Sequence, residues 1–167
     1  SHHADFDLGL MSILPGMTVV APGDPAEIAA LMPQLLKLNG PAYITVGKYG
    51  EPSFPAEELP ILGRGRLIRS GSKVAIISTG ELASEVVQAL NILAEQGIHP
   101  TAYQFHTVKP LDTETLTRLS KSHASILVCE EHLPTGGLHS QIASWAVENN
   151  IRAAIRRAGA PDQFALG

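Results

Sequence analysis

Residues 71–105 read GSKVAIISTGELASEVVQALNILAEQGIHPTAYQF, and this stretch decides the fold. Lys73 to Ser78 is a short apolar run between turn residues, the pattern of a buried strand. Ser78 and Glu81 have capping-box spacing for a helix that carries Leu82, Val86, Val87, Leu90 and Leu93 on one face. Gly97 closes that helix, and Thr101 to Phe105 is the next apolar run. Strand, helix, strand predicts a parallel pair joined by a right-handed crossover.

The alternation continues toward the C-terminus. Asp112 is placed to cap a further helix, with Leu111 and Leu116 spaced as a hydrophobic staple. Ser125 to Cys129 (SILVC) reads as a strand, and a Gly136-Gly137 loop leads into a helix with Leu138, Ile142, Trp145 and Ala146 on one face. Ala153 to Arg156 is the last strand, and Gly65 to Arg69 a short edge strand ahead of the series. Residues 106–112 (HTVKPLD) read as a structural loop that sets the angle of the following helix, with Pro110 restricting Lys109 to extended conformations. The expected fold is α/β: a three-layer α/β/α domain over 65–167 with a mostly parallel sheet.

Ahead of it the pattern is shorter. Asp5 to Leu14 reads as a helix stopped by Pro15-Gly16, and Thr18 to Ala21 as a buried strand. Asp24, Pro25 and Glu27 mark a helix start, and Ile28, Leu31, Met32, Leu35 and Leu36 make one apolar stripe. Gly40-Pro41 ends it, and Ala42 to Val46 is a second strand. Residues 1–50 thus form an incomplete α/β unit. The proline-punctuated stretch 51–64 reads as a linker.

Composition limits the function classes. The 167 residues are 44% apolar and 17% charged with a net charge of −4, an ordinary globular balance. No Lys/Arg stripe points to nucleic acid. No apolar run approaches the ~18 residues of a membrane span, and no secretory leader pattern opens the chain. Cys129 is the single cysteine, which leaves no internal disulfide and suits a reducing cytoplasm.

Ligands of open α/β sheets bind beyond the carboxyl ends of the strands. Glu130-Glu131-His132 stands there, as an acid–base or metal set, or as a loop whose polar groups pair with backbone. Adjacent residues point in different directions, which favours the second. Thr135-Gly136-Gly137 is either an anion cradle or a tight turn. Ser1-His2-His3 could be a tag remnant, although Ala4-Asp5-Phe6-Asp7 does not continue as one.

Taken in order, several segments resemble one family. Ser1-His2-His3 with Phe6-Asp7, Leu14 to Pro22 (LPGMTVVAP), Asp24, Glu27 and Gly40 to Ile44 resemble the second half of the pyrimidine-binding domain of transketolase-type thiamine diphosphate enzymes. Lys109 to Asp112, Glu130 to His132, Gly136 to Leu138 and Pro161 to Phe164 resemble that family's C-terminal domain. The resemblance implies a complete enzyme that moves a two-carbon ketol unit between sugars, with thiamine diphosphate and magnesium bound between two chains of a homodimer. The magnesium motif and the activating glutamate of that family are not found here. The resemblance therefore implies that the chain alone is inactive and holds no cofactor or metal. Its partners would be the missing N-terminal portion or a separate subunit, with a sugar substrate and neither nucleic acid nor membrane. By the same resemblance His2 is the active-site histidine, and His3 and Lys48 contact substrate. Thr45 falls where relatives often place an arginine, which puts a phosphorylated substrate in question. Alternatives are a 1-deoxy-D-xylulose-5-phosphate synthase-like enzyme, suggested by Phe6-Asp7, and a non-catalytic dimerisation or interaction module. A beta subunit of an oxo-acid dehydrogenase fits less well.

Overall fold

The computed structural model describes residues 6–47 and 52–163. In chain order the elements are α1 (Asp7–Ile13), β1 (Thr18–Val20), α2 (Pro25–Leu35), β2 (Ala42–Ile44), β3 (Arg66–Arg69), β4 (Val74–Ser78), α3 (Leu82–Glu95), β5 (Thr101–Gln104), β6 (Thr107–Lys109), α4 (Thr113–Ser122), β7 (Ser125–Glu130), α5 (Leu138–Glu148) and β8 (Ala154–Gly159).

The larger sheet has the order β3-β5-β4-β7-β8. β4, β5, β7 and β8 run parallel, and β3 is an antiparallel edge. Side chains alternate across this sheet. Ala75, Ile77, Ile126 and Val128 pack with Leu116 and Leu119 of α4 and with Leu138, Ile142 and Trp145 of α5. Ile76 and Ala102 face the other way, onto Ala83, Val86 and Leu90 of α3. Helices therefore cover both faces, the expected three layers.

The smaller sheet has the order β2-β1-β6. β1 pairs with β2 in parallel and with β6 antiparallel. β6 is Thr107–Lys109, the stretch expected to be a loop. Three residues beside a proline carry no period-2 signal, so only the docked partner reveals the strand. The first unit's sheet is completed by a strand from beyond β5, and Val108 of that strand is buried with Leu8, Val19 and Ala21.

Two caps differ from expectation. Ser78 does not cap α3; it stays in β4, and its hydroxyl donates to Gln104 Oε1 at 2.6 Å. Glu27 does reach back at the start of α2, but to Gly23 N–H (2.7 Å), while the Asp24 side chain accepts from Glu27 N–H (2.7 Å). The apolar stripe of α2 is only partly used. Leu31 is fully buried, whereas Met32 is 38% and Leu36 80% exposed, because nothing among the described residues packs over them. Leu59 and Ile61 are exposed too, flanking Pro60, whose carbonyl accepts from Gln34 Nε2 of α2.

Asp112 fulfils its expected role and adds another. Its Oδ1 accepts from Thr115 N–H at 3.0 Å as the cap of α4, and its Oδ2 accepts from Gly65 N–H at 2.8 Å ahead of β3. Replacing it by alanine removes a cap worth about 0.5–2 kcal/mol and strands a buried donor at about 1–3 kcal/mol. Asp112→Ala should therefore cost about 1.5–5 kcal/mol in urea unfolding. A loss near that of an exposed substitution would show that the Gly65 contact contributes nothing.

Candidate functional site

His2, His3 and Lys48, the three residues the sequence singles out for substrate, lie outside the described residues. Their flanks are described. β1 and β2 run parallel, so their carboxyl ends open on the same side. The segment with Lys48 departs from the β2 end, where Thr45 N–H still donates to Val20 carbonyl at 3.0 Å. His2 and His3 precede α1 in the sequence. One hydrogen bond joins these flanks: Tyr43 Oη of β2 donates to Asp7 Oδ2 at the first turn of α1, 2.6 Å away. Burial and the Asp7 carboxylate hold the Tyr43 phenol above its ordinary pKa, so it remains a donor at neutral pH.

Two seams of buried polar groups hold this unit to the larger sheet. The first is built from Glu130 to His132. Glu130 is fully buried; its Oε1 pairs with Arg157 Nε at 3.2 Å, and its Oε2 accepts from His139 N–H at the start of α5, 3.4 Å away. The helix N-terminus that could cradle an external anion thus holds the protein's own carboxylate. A side chain at Gly137 would overlap Glu130 Oε2, so glycine is required there for close packing. His132 Nε2 accepts from Gly9 N–H in α1 at 3.1 Å. The ring proton then sits on Nδ1, which donates to Leu133 carbonyl at 2.9 Å. Arg157 Nη2 donates to the carbonyls of His132 and Ala160. Every polar atom of Glu130 and His132 is engaged, and the cluster is a joint. Glu131 is exposed.

The second seam was not legible as a site. Asp24 and Glu27 of α2 face Arg66 of β3, all three buried, with Arg66 Nη1 3.2 Å from Glu27 Oε1 and 3.7 Å from Asp24 Oδ2. The guanidinium also lies 4.8 Å from the Phe54 ring centroid, and its Nε donates to Glu58 carbonyl at 3.0 Å. Burial outweighs the Arg66 pairing and pushes Glu27 up to about 7. His106, fully buried nearby, is pushed down to about 4 by burial and by Arg66. Its Nδ1 meets Thr107 Oγ1 at 3.0 Å, and its Nε2 finds no partner among the described residues. Sequence reasoning saw Glu27 as a helix signal and as part of the family resemblance but not as an ion-pair partner, since nothing local pairs it with an arginine 39 positions away.

A cavity of about 630 Å³ lies beside the carboxyl ends of β7 and β8, lined by Leu82, Val86, Cys129 and Ala158 among others. Burial, with Glu130 alongside, pushes the Cys129 thiol up to about 11, so it is no nucleophile at neutral pH. Among the described residues no group of three or more His, Cys, Asp or Glu is arranged to hold a metal ion. No helix there is long and apolar enough to cross a membrane.

The titration of Glu27 has a defined sign. Its folded value is raised, so its stability contribution is full below about 4.5 and is lost as pH rises through about 7. The lowered His106 value works oppositely, its contribution being lost as pH falls through about 4. Subtracting the thermal unfolding curve of Glu27→Gln from that of the unsubstituted chain cancels His106. The stability difference should shift against the unsubstituted chain by on the order of 3 kcal/mol between pH 4.5 and 7.5. A difference that ignores pH would mean that Arg66 keeps Glu27 ionised throughout.

Comparison with known proteins agrees with this architecture. Residues 63–166 match the family described as transketolase, C-terminal domain. A 6-deoxy-6-sulfo-D-fructose transketolase subunit from a Clostridium species is 34% identical over 98% of this chain and 51% of its own length. A 1-deoxy-D-xylulose-5-phosphate synthase from Dehalococcoides mccartyi is 32% identical over 98% of the chain and 26% of its own length. Among solved structures, a split-gene transketolase in an inactive beta4 tetramer superposes with a TM-score of 0.89 at 29% identity, over 97% of this chain and 54% of that one. A transketolase from Pichia stipitis shares the fold with a TM-score of 0.71 at 18% identity, over 92% of this chain and 22% of that one. The chain spans about half or less of the length of these relatives. It belongs to the thiamine diphosphate-dependent transketolase family and carries that family's C-terminal domain in residues 63–166.

Proposed function

We propose that this chain is the C-terminal portion of a transketolase-like enzyme that transfers a two-carbon ketol unit between sugars. The observation that carries the reading is the Tyr43–Asp7 hydrogen bond, which ties the strand leading to Lys48 to the helix following His2 and His3. It supports the reading because it joins β2, which precedes Lys48 in the sequence, to α1, which follows His2 and His3.

Thiamine diphosphate supplies the carbanion chemistry when bound. The described residues do not fit it as a host: Asp24 and Glu27, the carboxylates nearest the β1 end, are committed to Arg66. The proposal assigns the cofactor and its magnesium to the rest of the longer protein, in the same chain or a separate subunit, within a cytoplasmic homodimer. The bare stripe of Met32 and Leu36 is the surface such a portion would cover, since soluble proteins keep large apolar patches for partners. This chain supplies substrate contacts. His2 faces the sugar oxygen and moves a proton, a task suited to a group that titrates near neutrality. His3 adds a polar contact. Lys48 holds an anionic sugar tail as a point charge, without the bidentate fork of an arginine.

A sulfonate tail and a phosphate tail are both anions that a single lysine accepts. The absence of arginine at Thr45 therefore does not exclude an anionic substrate. A second reading, 1-deoxy-D-xylulose-5-phosphate synthase chemistry, is favoured by Phe6-Asp7 after the histidines and by relatives of that name at similar identity. Assay of the complete enzyme separates the two by donor: a ketose donor with an aldose acceptor supports the first, and pyruvate as donor to glyceraldehyde 3-phosphate, with release of carbon dioxide, the second.

Two outcomes are expected. Titration calorimetry of this chain alone should show no thiamine diphosphate binding, and micromolar affinity would overturn the assignment of the cofactor elsewhere. In the complete enzyme, His2→Ala should lower kcat by about a hundredfold with the fold intact, the share general acid–base catalysis contributes. Lys48→Ala should raise KM for a phosphate- or sulfonate-bearing ketose about tenfold or more, the loss of one charge-assisted contact of about 1.5–3 kcal/mol. It should leave a neutral ketose unaffected; unchanged kinetics in either variant would remove that residue from the site.

A further inference from the structure

We propose that His132 of the C-terminal domain is a positioning residue for ketol transfer, acting through α1, the helix that follows His2 and His3 in the sequence. The inference rests on the functional reading above, and gives the C-terminal domain a part in turnover.

Helix α1 has only seven residues and could not hold its place alone, since isolated helices of that length are unstable in water. Its N-terminal end carries Asp7, the anchor of Tyr43, and begins four positions after His3. Groups from beyond β5 grip it along its length. His132 accepts from Gly9 N–H within a buried contact. Gln141 Nε2 of α5 donates to Ser12 Oγ at 3.3 Å. Lys109 Nζ of β6 donates to the carbonyls of Ser12 (2.8 Å) and Leu14 (2.7 Å), filling acceptors left open at the helix end.

The grip at Gly9 has almost no slack. A methyl group there would lie 3.1 Å from His132 Cε1 and 3.2 Å from Gly136 Cα, closer than side chains ordinarily approach. His132 cannot retreat, because its Nδ1 donates to Leu133 carbonyl and Arg157 holds its own carbonyl. Arg157 is in turn fixed by fully buried Glu130. The chain Glu130–Arg157–His132–Gly9 thus ends on the helix that follows His2 and His3 in the sequence. A shift of about 1 Å at a reacting group costs up to about a hundredfold in rate, so such a clamp is read in kcat.

The test uses the complete enzyme. His132→Phe keeps the ring and removes the acceptor; His132→Gln offers an amide oxygen to Gly9 N–H. The Phe variant should lose kcat about tenfold to a hundredfold, with KM within about twofold and the cofactor still bound at saturation, and Gln should restore a large part. Amide exchange in this 167-residue chain should show faster exchange at Gly9 and through α1 in the Phe variant, while β4 and β7 stay protected. If His132→Phe fails to fold, Gly9→Ala wedges the same contact from the other side and should give the same kcat loss. A folded variant with loosened α1 and unchanged kcat overturns the proposal, as does a Phe variant whose α1 exchanges normally. An unsubstituted enzyme without two-carbon transfer overturns the functional reading instead; the exchange arm still reports on the joint.

Discussion

The antiparallel pairing of β6 with β1 is the constraint on which the rest of the structure depends. β6 follows β5 after two residues, yet it crosses to the smaller sheet and becomes its edge. Val19 pairs with Lys109 and Val20 with Thr107, and Ala21 N–H donates to His106 carbonyl at 2.7 Å. A three-residue strand has little stability alone. β1 is ordered because β2 and β6 satisfy it on both sides and because Val108 closes the apolar cluster beneath α1. The two units are therefore welded through a ladder, whereas a tether would leave their relative orientation free.

Once that ladder is set, polar groups at the weld have to be matched, because a buried charge without a partner costs several kcal/mol. Arg66 meets Asp24 and Glu27 on one flank; Arg157 meets Glu130, and His132 meets Gly9, on the other. Such pairs add little net stability compared with apolar packing. Their effect is selective: any sliding of α1 or α2 would strand a buried donor or acceptor, so the packing has one permitted register.

The larger sheet was legible because its strands are continuous apolar runs separated by well-marked helices, as in KVAIIS and SILVC. The caps at Asp24 and Asp112 were legible because their signals are local. β6 was not, since three residues ending at Lys109-Pro110 have no periodicity of their own. The α2 residues make one apolar stripe in the sequence, yet Leu36 is bare because nothing among the described residues packs over it. The Arg66 cluster and the Gly9–His132 contact join positions far apart, and no spacing rule links them. His2, His3 and Lys48 rest on the family resemblance alone, because two adjacent histidines and a lone lysine have no pattern that points to sugar chemistry. For Glu130 to His132 the reading favoured from sequence, a loop whose polar groups pair with backbone, fits Glu130 and His132, which are occupied by backbone groups and Arg157.

The central claim is that the first unit and the C-terminal domain fold and open as one body. Native-state hydrogen exchange of this chain measures it directly. The Ala21 and Thr45 amides, bonded at 2.7 and 3.0 Å in the smaller sheet, should exchange only by global opening. They should then show the same free energy as the Phe105 amide, bonded to Ser78 carbonyl at 2.7 Å at the end of the larger sheet. Free exchange at Ala21 and Thr45 while Phe105 stays protected would show two separately opening units and contradict the account.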